Sequence, residues 1–317
     1  MQTKHHPRPY LLLIGPLLPD TMAQLDATYT LHRYDLAPDK DALVCELAPR
    51  LTAIATRGDY PLPGALMRRF PNLKLIASSG AGFDAIDIEA ARELGIIVTN
   101  TPGAVTECVA DMAWFLILAT VRRLVCNDRY VRAGGWRTSP VPLTERVWGE
   151  RMGIIGLGRI GKAIARRGEA FHMEIAYHGR HRQPDVEYRY YDNPVDLARS
   201  VKILVCAMPG RKETQGFINR DVIDALGPNG YFINISRGTT VDETYLVDAL
   251  VNGRIAGAGL DVFANEPDVP EALMGLDNVV LQPHAGSGTV LTRNAMGQIL
   301  VDNLAVFFAG KPPLTPV

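Results

Sequence analysis

The sequence predicts an α/β protein made of two doubly wound parallel-sheet domains. Three observations carry that expectation. The chain has 317 residues, 47% of them hydrophobic and 21% charged, which is long enough for more than one core because single cores stop growing near this size. Short β-rich runs alternate with helical stretches in two separate series, the pattern of parallel sheets with crossover helices. A glycine-rich turn, G-x-G-x-x-G, follows the first strand of the second series.

The first series places strands at residues 10–14, 29–34, 52–56, 73–78 and 96–99. The second places them at 152–155, 174–177, 202–207, 231–235, 255–260 and 279–281. Between the two, residues 104–123 are apolar at helical spacing with no internal glycine or proline, which suits a long helix bridging two domains. Residues 290–308 form another apolar-periodic helix, stopped by Gly310, Pro312 and Pro313. The chain is therefore expected to return to its first domain, giving a discontinuous domain of 1–100 and 288–317 around a second of 101–287. No internal repeat or low-complexity segment is evident.

Composition narrows the partners. Thirty-three Lys and Arg against 34 Asp and Glu give a formal net charge of −1, without the clustered basic excess that nucleic-acid backbones require. Cys45, Cys108, Cys126 and Cys206 are scattered with no C-x-x-C pair and no neighbouring histidine, so neither a zinc site nor a disulfide framework is expected and a reducing cytoplasm fits. Residues 1–9 lack the apolar core of a secretory signal, and His5 and His6 there read as solvated rather than metal-binding. The longest apolar run, 112–121, falls short of the about 20 residues that span a bilayer. No metal, membrane or nucleic-acid partner is expected; a small-molecule ligand is.

The glycine turn identifies the ligand class. Gly156-Leu157-Gly158-Arg159-Ile160-Gly161 follows a strand, and Ile160, Ala163, Ile164 and Phe171 then recur at helical spacing. Gly156 permits the tight turn, Gly158 lets a pyrophosphate approach the backbone, and Gly161 lets helix and strand pack closely, while the helix N-terminus offers free N–H groups to phosphates. This is the dinucleotide-binding arrangement of a Rossmann domain. At the end of the next strand, where an NAD-binding chain usually carries Asp or Glu for the ribose hydroxyls, the sequence reads Tyr177-His178-Gly179-Arg180-His181-Arg182. No carboxylate stands there to repel a 2′-phosphate, and Arg180 and Arg182 can clamp one. NADPH is expected over NADH.

Three later strand ends carry ionisable residues: Asn234-Ile235-Ser236-Arg237-Gly238, Asp261-Val262-Phe263-Ala264-Asn265-Glu266-Pro267 and Gln282-Pro283-His284-Ala285-Gly286-Ser287. The carboxyl edge of a doubly wound sheet is where ligands bind. A guanidinium at such an edge can hold a carboxylate and polarise a neighbouring carbonyl in one plane, which suits Arg237. Reduction of such a carbonyl also needs a proton for the nascent alkoxide, which His284 can supply while Glu266 orients the ring and favours its charged form.

Through S-R-G, D-V-F-x-x-E-P and P-H-x-G-S, in that order after the glycine turn, the sequence resembles the D-2-hydroxyacid dehydrogenase family, from about Gly80 onward. The resemblance implies a Rossmann dinucleotide-binding domain with a discontinuous flavodoxin-like substrate domain, and it implies that Arg237, Glu266 and His284 are catalytic. It further implies that the amides of Ala81 and Gly82, after Ser79-Gly80, cradle the substrate carboxylate, and that Ser287 either N-caps the following helix or touches substrate. Thr106, Pro209 and Asp261 join the glycine turn, Gly179 and Arg180 as cofactor-binding residues, Asp261 at the nicotinamide carboxamide. Asp111 and Ser79 depart from the family's frequent glutamate and small apolar residue. Gly179-Arg180 and the tail 310–317 most resemble glyoxylate and hydroxypyruvate reductases, so glyoxylate or hydroxypyruvate is the expected substrate. The chain stops at Val317, without the regulatory domain of longer phosphoglycerate dehydrogenases, and formate dehydrogenases differ before the histidine segment. Trp136, in a glycine-rich stretch running to Trp148, implies a homodimer, since family members pair through this region. The competing reading is a non-catalytic, NAD(P)-sensing corepressor on the same scaffold.

Overall fold

Strands that are apolar without polar alternation need cover on both faces, and the chain provides it twice. The structure, a computed structural model, describes residues 8–317; His5 and His6 lie outside them. The described chain divides into two compact units, one running to Val105 and resuming at Thr289–Val317, the other spanning Thr106–Gly288.

In the first unit, β1 (Tyr10–Leu13), β2 (Thr30–Arg33), β3 (Ala53–Arg57), β4 (Leu75–Ser79) and β5 (Ile97–Thr99) form a wholly parallel sheet in the order β2-β1-β3-β4-β5, the flavodoxin-like order. Side chains alternate between two apolar layers. Leu11, Leu13, Ala53, Ala55, Leu75 and Ala77 meet Leu300 and Leu304 of the helix Val290–Phe308 on one face. Leu12, Ile54 and Ile76 meet Val44, Leu47 and Phe70 on the other. The C-terminal helix seats closely because Gly297 has no side chain: a Cβ there would fall 1.9 Å from the Thr21 hydroxyl.

In the second unit, β6 (Arg151–Ile155), β7 (Glu174–His178), β8 (Arg189–Tyr191), β9 (Ile203–Cys206), β10 (Tyr231–Asn234), β11 (Gly257–Leu260) and β12 (Val279–Leu281) form a second parallel sheet, ordered β12-β11-β10-β9-β6-β7-β8. Counted from β6, the first six strands follow the dinucleotide-binding order 3-2-1-4-5-6. The helix Thr106–Val121 crosses this sheet at β11. A Cβ on Gly259 would lie 2.9 Å from both the Leu116 Cβ and the Thr120 hydroxyl, so the bare glycine is what admits the helix. Trp114 pins the same helix from its other side, stacking on Phe171 at 4.4 Å and donating to the Ile164 carbonyl at 3.1 Å.

Strand positions match the expected ones to within two residues, with one omission. β8 lies in a polar, tyrosine-rich segment without the apolar run that marks the other strands; its pairing with β7, not its own pattern, makes it a strand. The expected helix over 104–123 is shorter at both ends, starting at Thr106 and stopping at Val121. Among the described residues, no helix is long and apolar enough to cross a membrane.

Candidate active site

The C-terminal ends of β10, β11 and β12 bring Arg237, Asp261, Glu266 and His284 to one edge of the second sheet. His284 has φ +52°, a left-handed conformation that costs a side-chain-bearing residue roughly 1–3 kcal/mol. Three hydrogen bonds to Asp261 hold it there. The His284 amide donates to the Asp261 carbonyl at 2.8 Å, and the amides of Ala285 and Gly286 donate to the two carboxylate oxygens at 2.7 and 2.9 Å. Burial pushes the Asp261 carboxyl above its ordinary value, against the opposing effect of those two amides. Any further donor to Asp261 must use its remaining lone pairs.

Glu266 reaches the imidazole from the β11 loop. Its Oε2 stands 2.7 Å from His284 Nδ1, and its Oε1 accepts the Phe263 amide at 3.0 Å. Burial raises this carboxyl, but the bonds from His284 and Phe263 and the charges of His284 and Arg237 outweigh it, so the group sits below its ordinary value. A carboxylate there remains ionised. With Nδ1 engaged by the carboxylate, Nε2 is the ring nitrogen left to give or take a proton.

Arg237 stands three residues past the end of β10. Its Nη1 donates to the Ser236 carbonyl at 2.7 Å, and its own carbonyl accepts the Thr240 hydroxyl at 2.7 Å and the Asn234 side-chain amide at 3.1 Å. Asn234 Oδ1 in turn accepts the Ser236 amide and hydroxyl at 3.0 and 2.9 Å. This buried network fixes the backbone from which the guanidinium extends. The motif N-x-S-R-G-x-T carried its signal, as asparagine three before and threonine three after the arginine. Glu243 was not expected either; its Oε1 accepts the Ala264 amide at 2.8 Å and so fixes the loop bearing Glu266.

The glycine turn has the geometry a dinucleotide needs. Gly156 has φ +97°, and Gly161 packs so tightly that a Cβ would lie 2.3 Å from the Gly156 carbonyl oxygen. Gly158 is open, with nothing within 4 Å of a Cβ, and it heads the helix Arg159–Ala170 with no side-chain cap. Those free amides suit a pyrophosphate. Leu157 is buried beside them, and its carbonyl accepts from Gln183 at 2.8 Å, a tie that sequence reading did not anticipate. Arg180 and Arg182 are exposed just past β7, where the Gly179 carbonyl accepts Tyr190. Thr106 opens its helix and Pro209 follows β9.

Ser287 does not cap the next helix; Thr289 does, accepting the Thr292 amide at 3.3 Å, because the helix starts at Val290 as its periodicity predicted and the residue before that start is Thr289. Ala81 and Gly82 lie in the first unit, at the end of β4. The Gly80 and Ala81 carbonyls are tied to Thr101 and Asn100 at 2.9 Å each, and among the described residues neither the Ala81 nor the Gly82 amide has a protein partner.

A glycine-turn nucleotide sheet with an arginine and a carboxylate–imidazole couple at its carboxyl edge defines the class of dinucleotide-dependent oxidoreductases. The family model described as D-isomer specific 2-hydroxyacid dehydrogenase, NAD binding domain, matches residues 114–286. The chain is 47% identical to a hydroxyphenylpyruvate reductase of Plectranthus scutellarioides over 97% of its own length and 98% of the relative's. A glyoxylate/hydroxypyruvate reductase A of Arabidopsis thaliana matches at the same identity and coverage. The solved structure of an NADPH-dependent glyoxylate/hydroxypyruvate reductase from Sinorhizobium meliloti, in complex with NADP and malonate, superimposes with a TM-score of 0.92 at 44% identity, covering 98% of this chain and 97% of that one. The chain belongs to the D-isomer specific 2-hydroxyacid dehydrogenase family and is an NAD(P)-dependent dehydrogenase, which sets aside the corepressor alternative.

Proposed function

We propose that the chain reduces a small 2-keto acid such as glyoxylate or hydroxypyruvate to the D-2-hydroxyacid with NADPH, using His284 as the acid. The observation that carries this reading is the 2.7 Å contact of His284 with an ionised Glu266, in the electrostatic reach of Arg237. Residues 101–287 bind the cofactor, and residues 1–100 with 288–317 supply the substrate cradle. Gly156, Leu157, Gly158, Arg159, Ile160 and Gly161 hold the pyrophosphate, Gly179 and Arg180 the 2′-phosphate, and Thr106, Pro209 and Asp261 the nicotinamide end. Bound there, NADPH supplies the hydride.

Arg237 pairs with the substrate carboxylate and draws electron density onto the carbonyl oxygen; the Ala81 and Gly82 amides and Ser287 are the further substrate-binding residues of this reading. His284 Nε2 donates its proton to the oxygen as negative charge develops there, and Glu266 orients the ring and balances its positive charge beforehand. In the reverse direction the neutral ring takes that proton back. Relatives named as glyoxylate and hydroxypyruvate reductases support the substrate class, and the NADPH-dependent Sinorhizobium meliloti structure supports the cofactor. The scattered free cysteines support a cytoplasmic setting, and exposed Trp136 a homodimer.

The test follows reduced-nicotinamide absorbance with a panel of 2-keto acids and resolves by chiral chromatography the configuration of the product from hydroxypyruvate, since reduced glyoxylate has no stereocentre. Turnover of glyoxylate or hydroxypyruvate with NADPH is expected, and His284→Ala should lose roughly 10²–10⁴ of it while still binding NADPH. Wild-type inactivity on every 2-keto acid, or near-normal turnover in His284→Ala, would overturn the reading.

A further inference from the structure

In the first sheet, strand order reverses between β1 and β3, and the carboxyl ends of strands at such a reversal form a crevice open to ligands. One charged cluster occupies it. Arg57, the last residue of β3, makes a two-pronged contact with Asp59, Nε to Oδ1 at 3.0 Å and Nη2 to Oδ2 at 2.5 Å. The guanidinium also lies over the Tyr60 ring, 5.2 Å from its centroid. Tyr60 in turn covers the end of β1, where a Cβ on Gly15 would fall 2.4 Å from its ring.

Between Arg57 and Asp59, Gly58 packs directly on the carboxylate cradle: a Cβ there would lie 2.0 Å from the Gly82 carbonyl oxygen. The cluster is therefore one residue removed, on either side, from a contact with Gly82. Both charged side chains keep solvent access, 30% for Arg57 and 52% for Asp59, so they can meet an incoming ligand. A free arginine beside the cradle would hold a second carboxylate of the substrate in a forked pair. An arginine already forked onto Asp59 presents no net charge, and Asp59 repels a second anion.

We propose that the Arg57–Asp59 pair sets which substituent the substrate carries: 2-keto acids with a neutral group beyond the carbonyl are accepted, and 2-keto diacids are refused because Asp59 cancels the guanidinium that would bind their second carboxylate. This rests on the 2-keto acid reductase reading above. Asp59 is the specificity determinant, acting through Arg57, and neither residue is part of the proton-transfer machinery.

The experiment measures kcat/KM for glyoxylate, hydroxypyruvate and oxaloacetate with NADPH in wild type, Asp59→Asn, Asp59→Ser, Arg57→Gln and the Arg57→Gln/Asp59→Asn double variant, with NADPH affinity determined separately by fluorescence. Asp59→Asn and Asp59→Ser should raise the oxaloacetate-to-hydroxypyruvate ratio by roughly fivefold or more, mainly through a lower KM for oxaloacetate. Added salt should shrink that gain. Arg57→Gln leaves Asp59 uncompensated and should move the ratio the other way, and the double variant should return it toward wild type. An unchanged ratio in both Asp59 variants, with NADPH still bound and hydroxypyruvate still reduced, overturns this proposal alone. Wild-type protein that binds NADPH but reduces none of the three acids overturns the reductase reading and this proposal with it.

Discussion

Glu266 and His284 come from the loops after two different strands, β11 and β12, yet their side chains meet at 2.7 Å. The bond is charge-assisted, and strongest, while Glu266 is ionised. Its carboxyl sits below the ordinary value, so by linkage its stabilising contribution is present above the unfolded carboxyl's titration and is lost as pH falls through the depressed folded one. At neutral pH the couple is intact.

The pH dependence of turnover follows from that. With His284 as the proposed acid, keto-acid reduction uses the imidazolium and its rate is expected to fall as pH rises, whereas hydroxyacid oxidation uses the neutral ring and is expected to gain over the same range. Glu266→Gln removes the carboxylate whose depressed titration keeps the couple ionised. The fall of turnover on the acid side, as wild-type Glu266 takes up a proton, should disappear from both directions, and kcat should drop in both. Profiles of kcat/KM in both directions check this, and coincident wild-type and Glu266→Gln profiles would break the coupling.

Cofactor preference is expected to turn on Arg180, which is exposed just beyond β7 with no carboxylate near it in sequence from Tyr177 to Arg182. Arg180→Asp places a repelling charge against a 2′-phosphate and an acceptor for a ribose hydroxyl. The ratio of kcat/KM for NADPH over NADH should fall by at least about tenfold, the loss of one charge-assisted contact. Equal wild-type efficiency with the two cofactors would remove the premise.

Trp136 lies 71% exposed in the short 3₁₀ turn Gly135–Arg137, followed by Leu143, fully exposed, and Trp148, half-exposed. A monomer gains little from large apolar side chains held in water, whereas a subunit interface buries them. Light scattering at micromolar concentration should return the mass of two chains, and Trp136→Glu should shift it toward one. A wild-type mass of a single chain contradicts the dimer.

The sequence made most of this framework legible because its strands are short apolar runs bounded by turns, and because the glycine turn and the three strand-end motifs are local. What it concealed is non-local. β8 exists through pairing with β7. Glu243 bonds the Ala264 amide of another turn, and a polar residue of that kind looks in sequence like any surface residue, whereas Asn234 and Thr240 bond the Arg237 carbonyl at a spacing the local motif carries. The double role of Asp261, gripping both the Ala285 and Gly286 amides, is likewise visible only once β11 and β12 lie side by side.

That dependence on close approach gives the sharpest structural test, at Gly238. A Cβ there would fall 1.8 Å from the carbonyl carbon of Phe263 and 2.3 Å from the Ala264 nitrogen, distances no backbone tolerates, so Gly238→Ala must push the two loops apart. The displaced loop is the one whose Phe263 and Ala264 amides bond Glu266 and Glu243. Stability should drop by roughly 1–3 kcal/mol, as in other overpacked sites, and kcat of the folded protein should fall as well, because Glu266 is drawn away from the ring of His284. Thr240→Val is the milder comparison. It deletes the hydroxyl that donates to the Arg237 carbonyl at 2.7 Å without adding bulk, and should cost about 1 kcal/mol, with a higher KM for the 2-keto acid and unchanged NADPH affinity. Thr240→Ser keeps the hydroxyl and should restore the KM. Urea denaturation and steady-state kinetics on the three variants separate the cases: a Gly238→Ala protein with wild-type stability and kcat would show that the two loops are not in contact, and a Thr240→Ser protein no better than Thr240→Val would show that the hydroxyl does not hold Arg237.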